Sequence, residues 1–348
     1  MDKPIQEPIT IGGHTVHPGK RATLDLPLSM LSTHTQVNLP LHVVHGRRPG
    51  PRLLVTAAVH GDELNGVEII RRLLLRPSVG RLAGTLIAVP IVNVYGFIGY
   101  TRYLPDRRDL NRSFPGSASG SLASQLAHLF NSQVLAHATH AVDLHTGAIH
   151  RTNLPQIRGE MSHDGVLRLM QAFGAPVMLD APLRPGSMRK VATDRGIPMV
   201  VYESGEALRF DEFGIRTGLE GVLNIMIDLD MIRRTRQRRR SPPPAVVARS
   251  SYWVRAPAGG VLRSTCAVGE RVRDDQVLGI VADPMGRSEV NVKAGEGGIV
   301  IGHTRLPITN QGDALIHIAR VRDPLTAAER IEAFQDVLSD EEEPWPGT

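Results

Sequence analysis

The 348-residue sequence predicts an α/β fold: a mainly parallel or mixed central sheet flanked by helices, followed by a small C-terminal all-β domain. Three observations carry this. Apolar runs of strand length alternate with stretches of helical spacing between residues 53 and 239. Those runs are continuous in Val, Ile and Leu, as expected of strands buried on both faces. After SPPPAVV, residues 241–247, the composition shifts to short β-like pieces punctuated by glycine.

Residues 1 to about 50 contain TLDLPLSML and VNLPLHVVHG, which read as edge strands broken by Pro and Gly. LLVTAAV, residues 53–59, reads as a buried strand. GVEIIRRLLL, from Gly66, has helical spacing and ends near Pro77. GTLIAVPIVN, from Gly84, is a second buried strand. Ser121 to Ala138 is expected to be helical, with Leu122, Leu126, Leu129 and Phe130 on one stripe. HAVDLHT is a third strand, residues 161–173 a helix, IPMVVYES from Ile197 a further strand, and Phe210 to Arg239 mostly helix.

The expected organisation is a domain over residues 1–240, beginning with the N-terminal β segment, and a linker at 241–247. A β domain over 248–322 follows, then a terminal helix and acidic tail over 323–348. The length suits one large domain plus a smaller one.

Hydrophobic residues make up 41% of the chain and aromatics 4%, so the core must be mainly aliphatic. The net charge of +5 is modest, and much of it sits in RRTRQRRR, Arg233–Arg240. This run reads as a basic helix end before a Pro-rich linker, where the helix dipole favours arginine. With few, scattered aromatics, there is no stacking platform for nucleic acid. No GxxxxGK[ST] loop, GxGxxG fingerprint or GxSxG elbow is present. No charge-free apolar run reaches membrane-spanning length, and MDKPIQEPITIGG lacks a signal-peptide core. The single cysteine, Cys266, fits a reducing compartment and a cytoplasmic enzyme. It reads as a small apolar residue rather than a nucleophile. Self-association into a homo-oligomer is common for soluble enzymes and compatible with the sequence.

The chemistry concentrates in VTAAVHGDELNGVEIIRRLL, residues 55–74. His60 and Glu63 fall where a buried strand gives way to a helix, and HAVDLHTG carries His145 on a later strand. Two imidazoles and a carboxylate form a ligand set for catalytic zinc, with a fourth position left for water. His60, His145 and Glu203 all occupy strand ends, where active residues of such sheets gather. The sequence therefore reads as a zinc hydrolase. His150 is a weaker neighbour of the same site.

Five elements in order, HGDE from His60, PIVNVYGF from Pro90, TRYLPDRRDLNRSFPG from Thr101, DLHTG from Asp143 and VYESG from Val201, carry a family resemblance. The chain resembles the succinylglutamate desuccinylase and aspartoacylase family of the zinc carboxypeptidase superfamily. That resemblance implies a zinc-carboxypeptidase-like sheet and one Zn²⁺ per chain on His60, Glu63 and His145. It implies Asp109 as the carboxylate orienting the first zinc histidine, with Asp143 as another candidate orienter. It implies Asn111 and Arg112 as a clamp for a substrate carboxylate. Arg102 is the expected oxyanion arginine, with Arg108 in reserve. Glu203 is the expected general base and acid, with Glu206 as competitor. The reaction implied is hydrolysis of the amide of a small N-acyl amino acid, with neither nucleic acid nor membrane as partner. The acyl group stays open, because members act on N-succinylglutamate, N-acetylaspartate and acetylated diamino acids.

Carboxypeptidase action on short peptides and a non-enzymatic binding homologue are the alternatives. The Gly-punctuated β region also resembles a biotinyl or lipoyl-type module, in which a carrier role would need Lys293 at an exposed hairpin tip.

Overall fold

The computed structural model describes residues 5–234 and 242–339. Most of the basic run after Arg234, the start of the linker and the acidic tail lie outside the described residues. In chain order, the pair β1 (Ile9–Ile11) and β2 (His14–Val16) precedes the long hairpin of β3 (Lys20–Met30) and β4 (Gln36–His45). Then come β5 (Arg52–Ala57), α1 (Asn65–Leu75), β6 (Thr85–Val89), α2 (Val94–Ile98), α3 (Leu122–Gln133), β7 (His140–Gly147) and β8 (Arg151–Gly159). They are followed by α4 (Asp164–Phe173), β9 (Val177–Asp180), α5 (Met188–Asp194), β10 (Met199–Glu206) and α6 (Glu212–Asp228). The C-terminal segment supplies β11 (Val246–Ala248), β12 (Ser250–Arg255), β13 (Gly260–Ser264), β14 (Arg271–Val272) and β15 (Val277–Ala282). It continues with β16 (Glu289–Lys293), β17 (Gly298–Thr304), β18 (Ile308–Thr309), β19 (Ala314–Arg320) and α7 (Pro324–Ser339).

Among the described residues, one mixed sheet of 13 strands runs in the order β12-β19-β17-β8-β10-β7-β5-β6-β4-β3, with β9, β11 and β14 paired off this path. The centre is parallel, β6 to β5 to β7 to β10, and β8 then runs antiparallel to β10. Strand β5 shows why its sequence is continuously apolar. Leu53, Val55 and Ala57 belong to the core beneath α1, α4 and α6, whereas Leu54 belongs to the opposite core beneath α3 and α5. Both faces are buried, so both sets of alternate residues must be apolar.

Strand β17 pairs antiparallel with β8, Gly302 opposite Asn153 and Thr304 opposite Arg151. The strand-rich C-terminal segment is thereby hydrogen-bonded into the same sheet that carries β7 and β10. Strands β16, β15, β13 and β18 form a separate small sheet, packed through Leu262, Leu278, Val281 and Val292 against Val300 and Ile318. Lys293 ends β16, opposite Val277 of β15, and is not at a hairpin tip. Cys266 is half-buried at the edge of this core.

Two expected helices are shorter than the apolar spacing suggested. The helix over 121–138 gives way at Val134 to a 3-10 turn, Leu135–His137, which drives Val134 and Leu135 into the core. Helix α6 ends at Asp228. Asp230 takes a left-handed conformation (φ 55°), and the Met231 N–H returns to the Met226 carbonyl, a helix-stop geometry.

Between β12 and β19, His317 stacks flat on Trp253, with ring centroids 4.5 Å apart. Burial, then the nearby Arg158, Arg151 and Arg184, push the His317 imidazole down to about 3.

Two outcomes follow for stability. Leu54→Ala should cost about 2–5 kcal/mol in urea unfolding, while Leu75→Ala, at a position 64% exposed, should change stability by less than about 0.5 kcal/mol. Because the His317 pKa is depressed in the folded state, its stabilising share is intact above about pH 6.5 and is lost as pH falls from there toward 3. His317→Phe should therefore lose about 2 kcal/mol less stability than wild type between pH 7 and pH 5.

Candidate metal centre and substrate site

The site is assembled at the carboxyl ends of β5, β7 and β10. Ala58 turns the chain out of β5 with a positive φ of 48°, and His60 and Glu63 follow before α1 begins. Gly61 sits between them against the backbone of α2. A Cβ there would fall 2.0 Å from the Gly96 carbonyl carbon, so no side chain fits. Asn65 fixes the start of α1, donating to the Ser204 carbonyl of β10 (3.0 Å) and accepting from the Asp211 N–H (3.0 Å).

His60 Nδ1 lies 2.8 Å from Glu63 Oε1, and His145 Nδ1 lies 2.7 Å from Glu63 Oε2. All three residues are buried, and their ligand atoms lie within 4.8 Å of one another. The far nitrogen of each ring faces a second carboxylate. His60 Nε2 is 3.2 Å from Asp109 Oδ1, and His145 Nε2 is 2.7 Å from Asp143 Oδ2. Thr56 donates to the other oxygen of Asp143 (2.7 Å), and the Thr146 N–H donates to Glu63 (3.1 Å). Carboxylates on both outer nitrogens favour N–H there, which turns each Nδ1 lone pair inward.

The electrostatics of this group call for positive charge at its centre. Burial pushes the Glu63 carboxyl up, but the two imidazoles outweigh it and hold it well below the usual range. Burial likewise pushes His145 down, and Asp143 with Glu63 more than reverses this. Protons on the rings or a divalent cation between the inner donors would supply that charge. Two imidazole nitrogens and a carboxylate match the donor set of a catalytic zinc site, so the residues fit such an ion.

Arg102 is the arginine at this cluster. Its Nη2 donates to Asp109 Oδ2 (2.9 Å), and its Nη1 lies 3.4 Å from Glu63 Oε1. The PIVNVYGF segment places it: Asn93 caps α2 at the Gly96 N–H (2.9 Å) and donates to the Arg102 carbonyl (3.2 Å). Arg108 is 64% exposed and faces Asp106 at 3.8 Å, away from the cluster. Asn111 and Arg112 lie on a 3-10 turn capped by the Asp109 side chain. Asn111 Oδ1 accepts from the Met188 N–H at the start of α5 (2.9 Å). Arg112 is exposed and makes no ion pair among the described residues.

Glu203 is level with His145 across the β10–β7 pairing. Both its oxygens are held, Oε1 by Arg158 Nη1 (2.8 Å) and Oε2 by Asn153 Nδ2 (2.7 Å). Glu206 instead accepts from the His150 N–H (3.1 Å). His150 itself is exposed, and its carbonyl accepts from the Arg305 N–H (2.7 Å). Sequence reasoning missed Asn153 and Arg158, because the polar segment RTNLPQIRG gives no apolar signal for strand β8.

Comparison with known proteins gives a concordant answer. Residues 49–229, over half of the chain, match the succinylglutamate desuccinylase/aspartoacylase catalytic domain. The chain is 27% identical to an N-alpha-acetyl-L-2,4-diaminobutyric acid deacetylase of Halomonas elongata, over 87% of this chain and 92% of that protein. A succinylglutamate desuccinylase/aspartoacylase from Rhodobacter sphaeroides superposes with a TM-score of 0.78 at 27% identity, covering 87% of this chain and 96% of that one. The product-bound ectoine utilization protein EutE (DoeB) of Ruegeria pomeroyi shares the fold, with a TM-score of 0.79 at 24% identity over 91% of this chain and 99% of that one. Among the described residues no helix is long and apolar enough to cross a membrane. By the match over residues 49–229, the chain belongs to the succinylglutamate desuccinylase/aspartoacylase family of amide-hydrolysing deacylases.

Proposed function

We propose that this chain is a Zn²⁺-dependent deacylase that hydrolyses the amide bond of a small N-acyl amino acid. The observation that carries the reading is the inward convergence of His60, Glu63 and His145, with Arg102 beside them and Glu203 level with His145 on the next strand. The diaminobutyrate-type deacetylase among its relatives supports an N-acylated amino acid as substrate.

His60, Glu63 and His145 would hold the ion, which when bound supplies Lewis acidity toward a carbonyl oxygen and a water. The rest is done by the protein. Arg112 and the amide of Asn111 receive the substrate carboxylate, the guanidinium through a two-point contact. This fixes the scissile amide relative to the strand ends. Arg102 is anchored by Asp109 and leaves a guanidinium edge near Glu63, suited to charge that develops on the carbonyl oxygen. Glu203 takes a proton from the attacking water and delivers one to the leaving amine. Arg158 and Asn153 hold its carboxylate in one orientation for both transfers.

Glu203→Gln should retain its metal and lose roughly 10²- to 10⁴-fold in kcat. Arg112→Gln should raise KM for the N-acyl amino acid by roughly tenfold or more and leave metal content unchanged. Undiminished turnover by Glu203→Gln removes the proton-transfer role. Unchanged kinetics in Arg112→Gln removes the clamp.

A further inference from the structure

Strand β8 changes neighbours partway along. Arg151, Thr152 and Asn153 pair with β17, whereas Gln156 and the residues after it pair with β9. Leu154 and Pro155 are paired in none of the ladders of β8, and its register against β10 shifts across them, with Glu203 opposite Gln156 and Gly205 opposite Asn153. Strand β17 has a matching irregularity. Its register against β19 shifts between Val300 and Gly302, and Ile301 is paired in none of its ladders. A residue left over at a bulge keeps backbone groups that must find partners elsewhere.

Gln156 fills this break. It is fully buried, and its Nε2 donates to the Ile301 carbonyl (3.1 Å) and to the Leu154 carbonyl (3.2 Å). Carbonyls only accept, so the amide nitrogen must face them and the amide oxygen must face the other way. There Oε1 accepts from Arg158 Nε (3.2 Å). Arg158 Nη1 in turn meets Glu203 Oε1 at 2.8 Å. These contacts in series join a backbone carbonyl of the C-terminal segment to the carboxylate that is level with His145. Sealing the two carbonyls needs only the nitrogen of Gln156. Its oxygen acts on the site. An arginine gives up much rotamer freedom when it is ordered, and its guanidinium is planar. Fixing Nε therefore fixes the plane of the whole group, and with it the direction in which Nη1 meets Glu203.

We propose that Gln156 is a positioning residue for the reaction: keyed by the Ile301 carbonyl of β17, it sets the guanidinium of Arg158 and, through it, the carboxylate of Glu203. This rests on the deacylase reading above and deepens it, because the C-terminal segment then contributes to turnover through one backbone carbonyl.

The test is a double-mutant cycle in the full-length, zinc-loaded protein, on whichever of N-acetyl-2,4-diaminobutyrate and N-acetylglutamate the wild type hydrolyses. Gln156→Met keeps a side chain of similar length and removes its hydrogen bonds. Its kcat should fall roughly 10- to 100-fold, the range for a buried group left unpaired, with KM and zinc content unchanged. Arg158→Met should lower kcat at least as far. The double variant should match Arg158→Met, because Gln156 acts through Arg158. Losses that multiply in the double variant, as a merely structural role would give, or an unchanged kcat in Gln156→Met, would overturn the proposal. Should Gln156→Met fail to fold, Arg158→Lys carries the test: it keeps the charge beside Glu203 but lacks the fork that meets Gln156 and Glu203 together. Its kcat should lie close to that of Arg158→Met, and a wild-type kcat would overturn the proposal. A crystal structure of whichever variant folds gives a reading independent of turnover. Glu203 turned to a new orientation there, with no hydrolysis of either compound by the wild type, would sink the deacylase reading and keep the relay. Glu203 held as in the wild type would overturn the relay whatever the turnover.

Discussion

A chain of alternating carboxylates and imidazoles sets the terms for the rest of the molecule. Thr56, Asp143, His145, Glu63, His60, Asp109 and Arg102 touch in that order, and Asp143, His145, Glu63 and His60 are buried. Buried carboxylates are costly unless each is paired and hydrogen-bonded. Here every one of them meets an imidazole, and the two rings meet at Glu63. The arrangement needs several elements fixed at once: β5 for Thr56, β7 for Asp143 and His145, the turn between β5 and α1 for His60 and Glu63, and the loop before α3 for Asp109. Gly61 against α2 and Asn65 against β10 are local consequences of that need.

The wide sheet supplies the rigidity. Its central parallel strands are apolar on both faces and give the site a floor that cannot tilt without breaking two cores. Strand β8 extends the floor beyond β10, and β17 joins the C-terminal strands to it. Glu203 is consequently held by side chains of β8, while that strand is itself sandwiched between catalytic and C-terminal strands. The C-terminal segment is thus part of the scaffold that orients the site, through backbone pairing rather than a flexible tether.

Much of this was legible in the sequence. The apolar runs at Leu53, Leu86 and Ala141 announce strands buried on both faces, and the helical spacing after Gly66 is that of α1. His60, Glu63 and His145 stand out because polar residues at strand ends are conspicuous against aliphatic strands. Strand β8 was not legible. Asn153 and Gln156 are buried yet polar, because Asn153 donates to Glu203 and Gln156 donates to the Leu154 and Ile301 carbonyls. Apolar periodicity cannot find such a strand, so Asn153 and Arg158 were missed with it. The β8–β17 pairing was hidden for another reason: it joins residues about 150 apart, and local pattern carries no record of such partners. The sequence ranks Arg102 ahead of Arg108; Arg102 lies at the cluster, its carbonyl held by Asn93, whereas Arg108 is exposed beside Asp106.

The claim on which the account depends is that His60, Glu63 and His145 hold one divalent ion. Elemental mass spectrometry of untagged wild-type protein, alongside His145→Ala, addresses it directly. Roughly one zinc per chain in the wild type, and loss of it in the variant, is the expected result. A wild-type protein without metal after reconstitution with zinc, or a variant that retains the full complement, would contradict it.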